Sequence, residues 1–459
     1  MKKLNLVGLF LVVMVSSCGN YGNGELTGVE DRERWFPTTP YGMKFIKHGT
    51  YNMGVNDQDV PWAMTAQSKT VTISPFWMDE TEITNNEYRQ FVNWVKDSLA
   101  RLMLGEEYEE FLITEDYYGN LYEPPWINWD EPIDWKDPDY SEILNDLYLA
   151  ENERFYRRKE IDTRKLNYTY WWIDLRQAAK KFNFDGKIRH HYDFETGRYT
   201  GQIVNEKGEY EDVKDRSAFI MKDNINVYPD TLCWISDFTY SYGDPMTNAY
   251  FWHPAYDHYP VVGVNWKQAF AFTRWRTQLH NGYLAQFGGA LVQDYRLPLE
   301  SEWEYAARGD LDLSSYPWGS YYTRNKVGCF LANFKPMRGN YIDDGGSYTV
   351  AVGHFEPNEY GLYDMAGNVA EWTSNAFDES AHQFTHDLNP DYTYNAKPDD
   401  DFTLKRKVVR GGSWKDIAVY LQNGVRTYEY QDSAKSYVGF RCVRSFLGRD
   451  INDSGSQTY

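Results

Sequence analysis

The sequence predicts a mixed α+β domain interrupted by one large insertion. Two observations carry that expectation. Short apolar segments set off by turn residues alternate with a few well-capped helical stretches, and between residues 98 and 252 the composition changes to blocks of single-sign charge threaded with aromatics. An aromatic fraction of 17% in a chain of 459 residues belongs to a folded protein rather than a disordered one.

In chain order, Lys2 and Lys3 lead an apolar run from Leu6 to Val15, followed by Ser16-Ser17-Cys18. The run is too short to span a bilayer as a mature helix, and small residues before a cysteine suit cleavage and diacylglycerol attachment at Cys18. The pattern resembles a bacterial lipobox, so residues 1–17 are read as a signal peptide and 18–40 as a polar tether. Asn20, not aspartate, stands second after the cysteine, which favours sorting to the periplasmic face of the outer membrane. The formal charge of -20 becomes -22 once Lys2 and Lys3 leave with the leader. Such a surface repels nucleic acid and anionic lipid headgroups. Cys233, Cys329 and Cys442 then remain, enough for at most one disulfide, so the fold must be held by its core.

Residues 41–97 read as strands and turns leading to a helix. Thr84 with Glu87 forms a capping box, and Tyr88, Phe91, Val92 and Val95 recur at helical spacing. In the insertion, 98–252, acidic residues Glu106, Glu107, Glu109, Glu110 and Asp116 give way to Arg154, Arg157, Arg158, Lys159, Arg164 and Lys165. The basic part reads as helical, and Thr196-Gly197 and Lys207-Gly208 as hairpin turns. The main domain resumes over 253–445, with Asn265 capping a helix that carries Ala269, Phe272 and Trp275, and with a further helix opened by Pro298 and closed by Gly309. Residues 446–459 read as a tail.

Six ordered blocks, MDETEITNNEYRQFV, PVVGVNW, YRLPLESEWEYAARG, GLYDMAGNVAEW, RGGSW and GFRC, resemble the formylglycine-generating (sulfatase-modifying factor) family. That resemblance implies an irregular, C-type-lectin-related α+β fold. It also implies an oxidase that uses two cysteines and copper, both cysteines lying between the GGSW and GFRC blocks. Counted back from GFRC, the family's cysteine positions fall on Ala418 and Asn423, neither of which forms a thiolate. Without soft sulfur ligands no copper is expected, and the chain is expected to be a pseudoenzyme. The resemblance further implies structural calcium, held by Asp364, Glu371 and the carbonyls of Gly367 and Val369. A second ion would use Asn333, the carbonyl of Phe334, Asp344 and the carbonyl of Gly346. Hard cations take several oxygens at once, which favours calcium at Asp364 and Glu371; the alternative is that these two are caps and turn formers bonded to backbone amides.

The leader, the missing cysteines and the insertion together look like the gliding-motility and type IX secretion lipoproteins. Membership implies a non-catalytic scaffold that self-associates into a periplasmic ring with the N component of the apparatus (GldN/PorN-like). Arg157, Arg158 and Lys159 are the expected contact residues, motivated by the charge segregation around them. A lectin-like or peptidoglycan-binding module is the alternative, and an active oxidase a weaker one. His190 and His191 have no third ligand at metal spacing and read as surface, while His253 and His258 read as structural.

Overall fold

The computed structural model describes residues 35–55, 67–179, 190–204, 210–337 and 339–448. Cys18, the leader and the tether up to residue 34 lie outside these, as do Lys207, Gly208 and the tail beyond 448. Residues 39–447 form one compact unit.

Two sheets frame the main domain. In the first, β1 (Met43–Ile46), β4 (Phe76–Asp79), β17 (Val443–Ser445) and β12 (Tyr295–Arg296) run in the order β1-β4-β17-β12. In the second, β15 (Thr427–Tyr430), β14 (Arg406–Arg410), β13 (Ala370–Ala376) and β16 (Val438–Gly439) run in the order β15-β14-β13-β16, with β13 and β16 parallel. A separate hairpin joins β2 (Gly49–Met53) to β3 (Lys69–Ile73). The register of the second sheet sets Glu371 opposite Arg410 on one side and Gly439 on the other, which brings three of the sequence blocks together.

The helices start where the sequence predicts. Helix α1 (Asn85–Leu104) is capped by Thr84, whose hydroxyl accepts the Glu87 amide while Glu87 accepts the Thr84 amide at 2.8 Å. Helix α2 (Trp266–Gln286) repeats the device with Asn265 and Gln268. Helix α3 (Glu300–Arg308) begins two residues after Pro298 and is closed by Gly309, which takes the left-handed φ of 60°. Tyr88, Phe91, Val92 and Val95 of α1 meet Phe272 and Trp275 of α2, with Tyr88 stacked on Phe272 at 5.6 Å, and both helices cover Trp372 of β13 and Phe440 just past β16.

The insertion is built into this core. Its strands β5 (Leu112–Glu115) and β6 (Leu121–Ile127) form a hairpin, and β8 (His190–Asp193), β9 (Arg198–Val204) and β10 (Tyr210–Asp212) form a small sheet that turns at Thr196-Gly197 as predicted. Strands β7 (Asn167–Ile173) and β11 (Ile220–Asn226) pair with each other, and β7 buries Tyr168 and Tyr170 against Phe91 and Phe270. Tyr88 and Gln268 donate hydrogen bonds to the carbonyls of Val227 and of Asn226 and Tyr228. The basic segment is not the helix its composition suggested. It forms short 3-10 turns, with Tyr156 and Arg157 at φ of 51° and 56°. A helix there would have no apolar stripe to bury and would set three consecutive cations on its surface, so tertiary packing gives it no support.

Candidate functional site

The family blocks converge on a buried charge cluster at the seam between the two sheets. Glu371 on β13 and Arg441, just past β16, are both fully buried. The Arg441 guanidinium holds both Glu371 oxygens at 2.6–2.9 Å, and the Trp303 indole donates to Oε2 at 2.7 Å. Arg441 also donates to the carbonyls of Asp79, Glu80 and Tyr363. It therefore ties β4, the loop before β13 and β13 itself into one node. The carboxylate expected to hold an ion is already neutralised by a guanidinium.

Asp364 stands beside this node at a left-handed φ of 53°. Its Oδ2 accepts the Gly353 amide at 2.6 Å, whereas its Oδ1 is buried with no hydrogen-bond partner. Burial pushes its carboxyl up to about 6. Glu82, fully buried and unnoticed in the sequence reading, faces it. Burial, with the repulsion of Asp364 next, raises the Glu82 carboxyl well above the ordinary range. Its hydrogen bonds to Val369 N and Asn368 Nδ2 are both long, at 3.4 Å. The signal for Glu82 was present in the block MDETEIT, but nothing local says that this glutamate turns inward while Glu80 does not.

Gly367, at φ 84°, lets its backbone pass against the Asn333 carbonyl, where any side chain would collide. Asn368 donates its amide to that same carbonyl at 2.8 Å, so the two expected calcium loops adjoin. In the second loop Asp344 Oδ2 accepts the Phe334 amide at 2.6 Å and Oδ1 the Gly346 amide at 3.1 Å. Asp344 thus accepts from backbone amides on both carboxylate oxygens, and Asn333 uses its side-chain amide on Tyr348 O. Among the described residues no three His, Cys, Asp or Glu side chains are grouped to hold a metal. An ion here would draw on carbonyls as well as carboxylates, and the orphaned Asp364 Oδ1 beside Glu82 is the oxygen pair that fits a hard cation.

The stretch between the GGSW and GFRC blocks contains no cysteine. Ala418 opens a 3-10 turn and its carbonyl accepts from Tyr316 Oη at 3.1 Å. Asn423 is buried and donates to Ser314 O and Oγ at 3.2 Å. Ser413 Oγ donates to Asp416 at 2.6 Å, and burial raises the Asp416 carboxyl. Of the three cysteines among the described residues, Cys329 is exposed, while Cys233 and Cys442 are buried, and burial drives both buried thiols far above the ordinary thiol range. Burial thus disfavours the thiolate, the nucleophilic form, at both. A second buried network lies on α3: Glu304 pairs with Arg308 at 2.6 Å and with Arg410, and Glu300 with Arg426 at 2.5 Å. Burial opposes ionisation of Glu300, but Arg426, His382 and Arg410 outweigh it and hold the carboxyl well below the usual range.

Away from the seam, Arg157 and Arg158 are exposed and have no acidic partner among the described residues, whereas Lys159 reaches Ser141 Oγ at 3.1 Å and lies over the Tyr148 ring. His253 caps the turn at Ala255 through Nδ1. His190 and His191 lie in β8, their side chains outside the described residues.

The model of the sulfatase-modifying factor enzyme 1-like domain family matches residues 32–157 and 231–446, reaching well into the segment read as insertion and leaving 158–230 unmatched. The chain is 32% identical over 200 residues to the inactive C-alpha-formylglycine-generating enzyme 2 of Mus musculus, covering 42% of this chain and 51% of that one. It is also 32% identical over 192 residues to the formylglycine-generating enzyme of Thermomonospora curvata, covering 40% and 55%. The chain thus spans about half the length of the curated relatives it matches. Among solved structures, PvdO from Pseudomonas aeruginosa is similar with a TM-score of 0.43 at 15% identity, over 88% of this chain and 94% of that one. Active and inactive enzymes both stand among these relatives, and the chain belongs to the sulfatase-modifying factor (formylglycine-generating enzyme-like) family.

Proposed function

We propose that this family member is a pseudoenzyme: a lipid-anchored scaffold on the periplasmic face of the outer membrane, of the K type (GldK/PorK) found in type IX secretion and gliding motility. The observation that carries the non-catalytic reading is the cysteine-free stretch between Trp414 and Cys442, together with the burial of Cys233 and Cys442, which disfavours their thiolates. Oxidase chemistry in this family needs thiolates, and copper needs soft ligands. The anchor rests on the lipobox at Cys18. Calcium, held by Asp364 and Glu82 with the Gly367 and Val369 carbonyls, would brace loops that carry little regular secondary structure and take no part in chemistry.

In this reading the protein self-associates into a ring and binds a periplasmic N component. The exposed Arg157 and Arg158, without acidic partners among the described residues, support the expectation that this segment meets a carboxylate-rich surface. A crosslinking pull-down from intact cells, followed by sizing of the native complex in mild detergent, tests the scaffold role. A very large assembly containing a second periplasmic protein is expected, and Arg157→Glu/Arg158→Glu/Lys159→Glu should disperse it. A monomer recovered with cell-wall fragments alone would replace the scaffold with the glycan-binding module.

A further inference from the structure

Helix α2 is longer than the core it packs on. Its buried face runs through Ala269, Phe272 and Trp275, and the same apolar line continues at four-residue steps through Leu279, Tyr283 and Phe287, which are exposed by 49%, 61% and 72%. Leu291, 61% exposed, follows in the next loop. The Tyr283 and Phe287 rings meet at 4.7 Å. The loop is pinned: Asn281 accepts the Val292 amide at 2.9 Å and donates to the Val292 carbonyl at 3.2 Å, so the apolar side chains are held outward.

The chemistry of this overhang differs from the rest of the molecule. From Gln278 to Gln293 there is no Asp, Glu, Lys or Arg, in a chain where these make up 25% of residues. The polar groups that remain are Gln, Asn, one His and the Tyr283 hydroxyl. A protein-binding surface typically combines aromatics with arginine inside a polar rim. A surface of Leu, Tyr and Phe with neutral hydrogen-bonding groups instead suits the interfacial layer of a bilayer, where aromatics settle at headgroup level and carboxylates are unwelcome. The net charge of -20 would keep other faces away from anionic lipid.

We propose that the α2 overhang and its loop are a membrane-interfacial docking surface that lays Leu279, Tyr283, Phe287 and Leu291 into the headgroup region of a zwitterionic bilayer. In the cell this rests on the lipid-anchor reading. Residues 19–34 reach at most about 55 Å, so an anchor at Cys18 would hold the domain close enough for a weak interfacial contact to be occupied. The surface would then orient the domain on the membrane.

Vesicle co-sedimentation of the chain from Gly19 onward, which retains the whole compact unit 39–447, tests the surface without the anchor. Binding to phosphatidylcholine vesicles is expected, and Tyr283→Asp/Phe287→Asp should weaken it at least tenfold. Tyr41→Asp, at a residue 99% exposed elsewhere, should leave it unchanged. Equal binding by the Tyr283/Phe287 variant, no binding by the wild type, or tighter binding to phosphatidylglycerol vesicles would overturn the proposal. Concentration-dependent dimerisation without vesicle binding, lost in the same variant, would also overturn it and assign the surface to a second copy. Lipid labelling of the full chain and of Cys18→Ala reads the anchor separately, so its failure is distinguishable from that of the surface.

Discussion

Arg441→Met tests whether the sheet seam is organised by one buried cation. The substitution keeps an unbranched apolar stem but removes the guanidinium, and it leaves Glu371, fully buried, with the Trp303 indole as its remaining donor. Removing one member of a buried ion pair costs about 3–5 kcal/mol. The carbonyls of Asp79, Glu80 and Tyr363 lose a donor as well, which places the loss near the upper end, about 5 kcal/mol. At about 2.1 cal/mol/K per residue over residues 39–447, that is a fall in Tm of roughly 6 °C. The assay is calorimetry with urea unfolding of the wild type, Arg441→Met, Glu371→Gln and the double variant. The double variant should lose less than the two single losses combined, because each partner's removal already strands the other. A single-variant loss below about 1 kcal/mol, or strict additivity, would refute the account of Arg441 as the node.

Three further outcomes follow from the packing and charge placement. Calcium should raise the Tm of the wild type, by an increment that Asp364→Ala and Glu82→Gln each abolish; a wild type indifferent to calcium and chelator would remove the ion from the structure. Burial, followed by the nearby Lys267, pushes the Lys407 ammonium down to about 7. Its folded pKa lies below the unfolded value, so the unfolded chain binds more protons between about 7 and 10.5 and stability rises with pH across that window. Lys407→Met should therefore be more stable than the wild type at pH 6, with the advantage shrinking toward pH 10; a pH-independent difference would contradict this. Tyr168→Ala should cost about 3–5 kcal/mol and lower one common unfolding transition, because β7 shares the core of α1 and α2. A separate low-temperature transition in the calorimeter would show instead that the insertion unfolds by itself.

Sequence alone determined the parts of this protein that local chemistry can specify. The capping box at Thr84, the cap at Asn265 and the stop at Gly309 depend on residues within one helical turn, and all three stand as read. The family blocks and the missing cysteines are likewise matters of residue identity, legible without coordinates. The tertiary structure decided whatever depends on partners distant in the chain. Glu371 and Arg441 are 70 residues apart, and only the parallel pairing of β13 with β16 reveals that the guanidinium takes the carboxylate expected to hold an ion. Glu82 enters the site because β4 delivers the following turn against Val369, 287 residues later. The same reason governs the insertion: its charge pattern suggested a separate helical patch, whereas Tyr168 and Tyr170 find their apolar surroundings on helices from both flanking segments. Burial and ion pairing are settled by which surfaces meet, and neither periodicity nor composition records that.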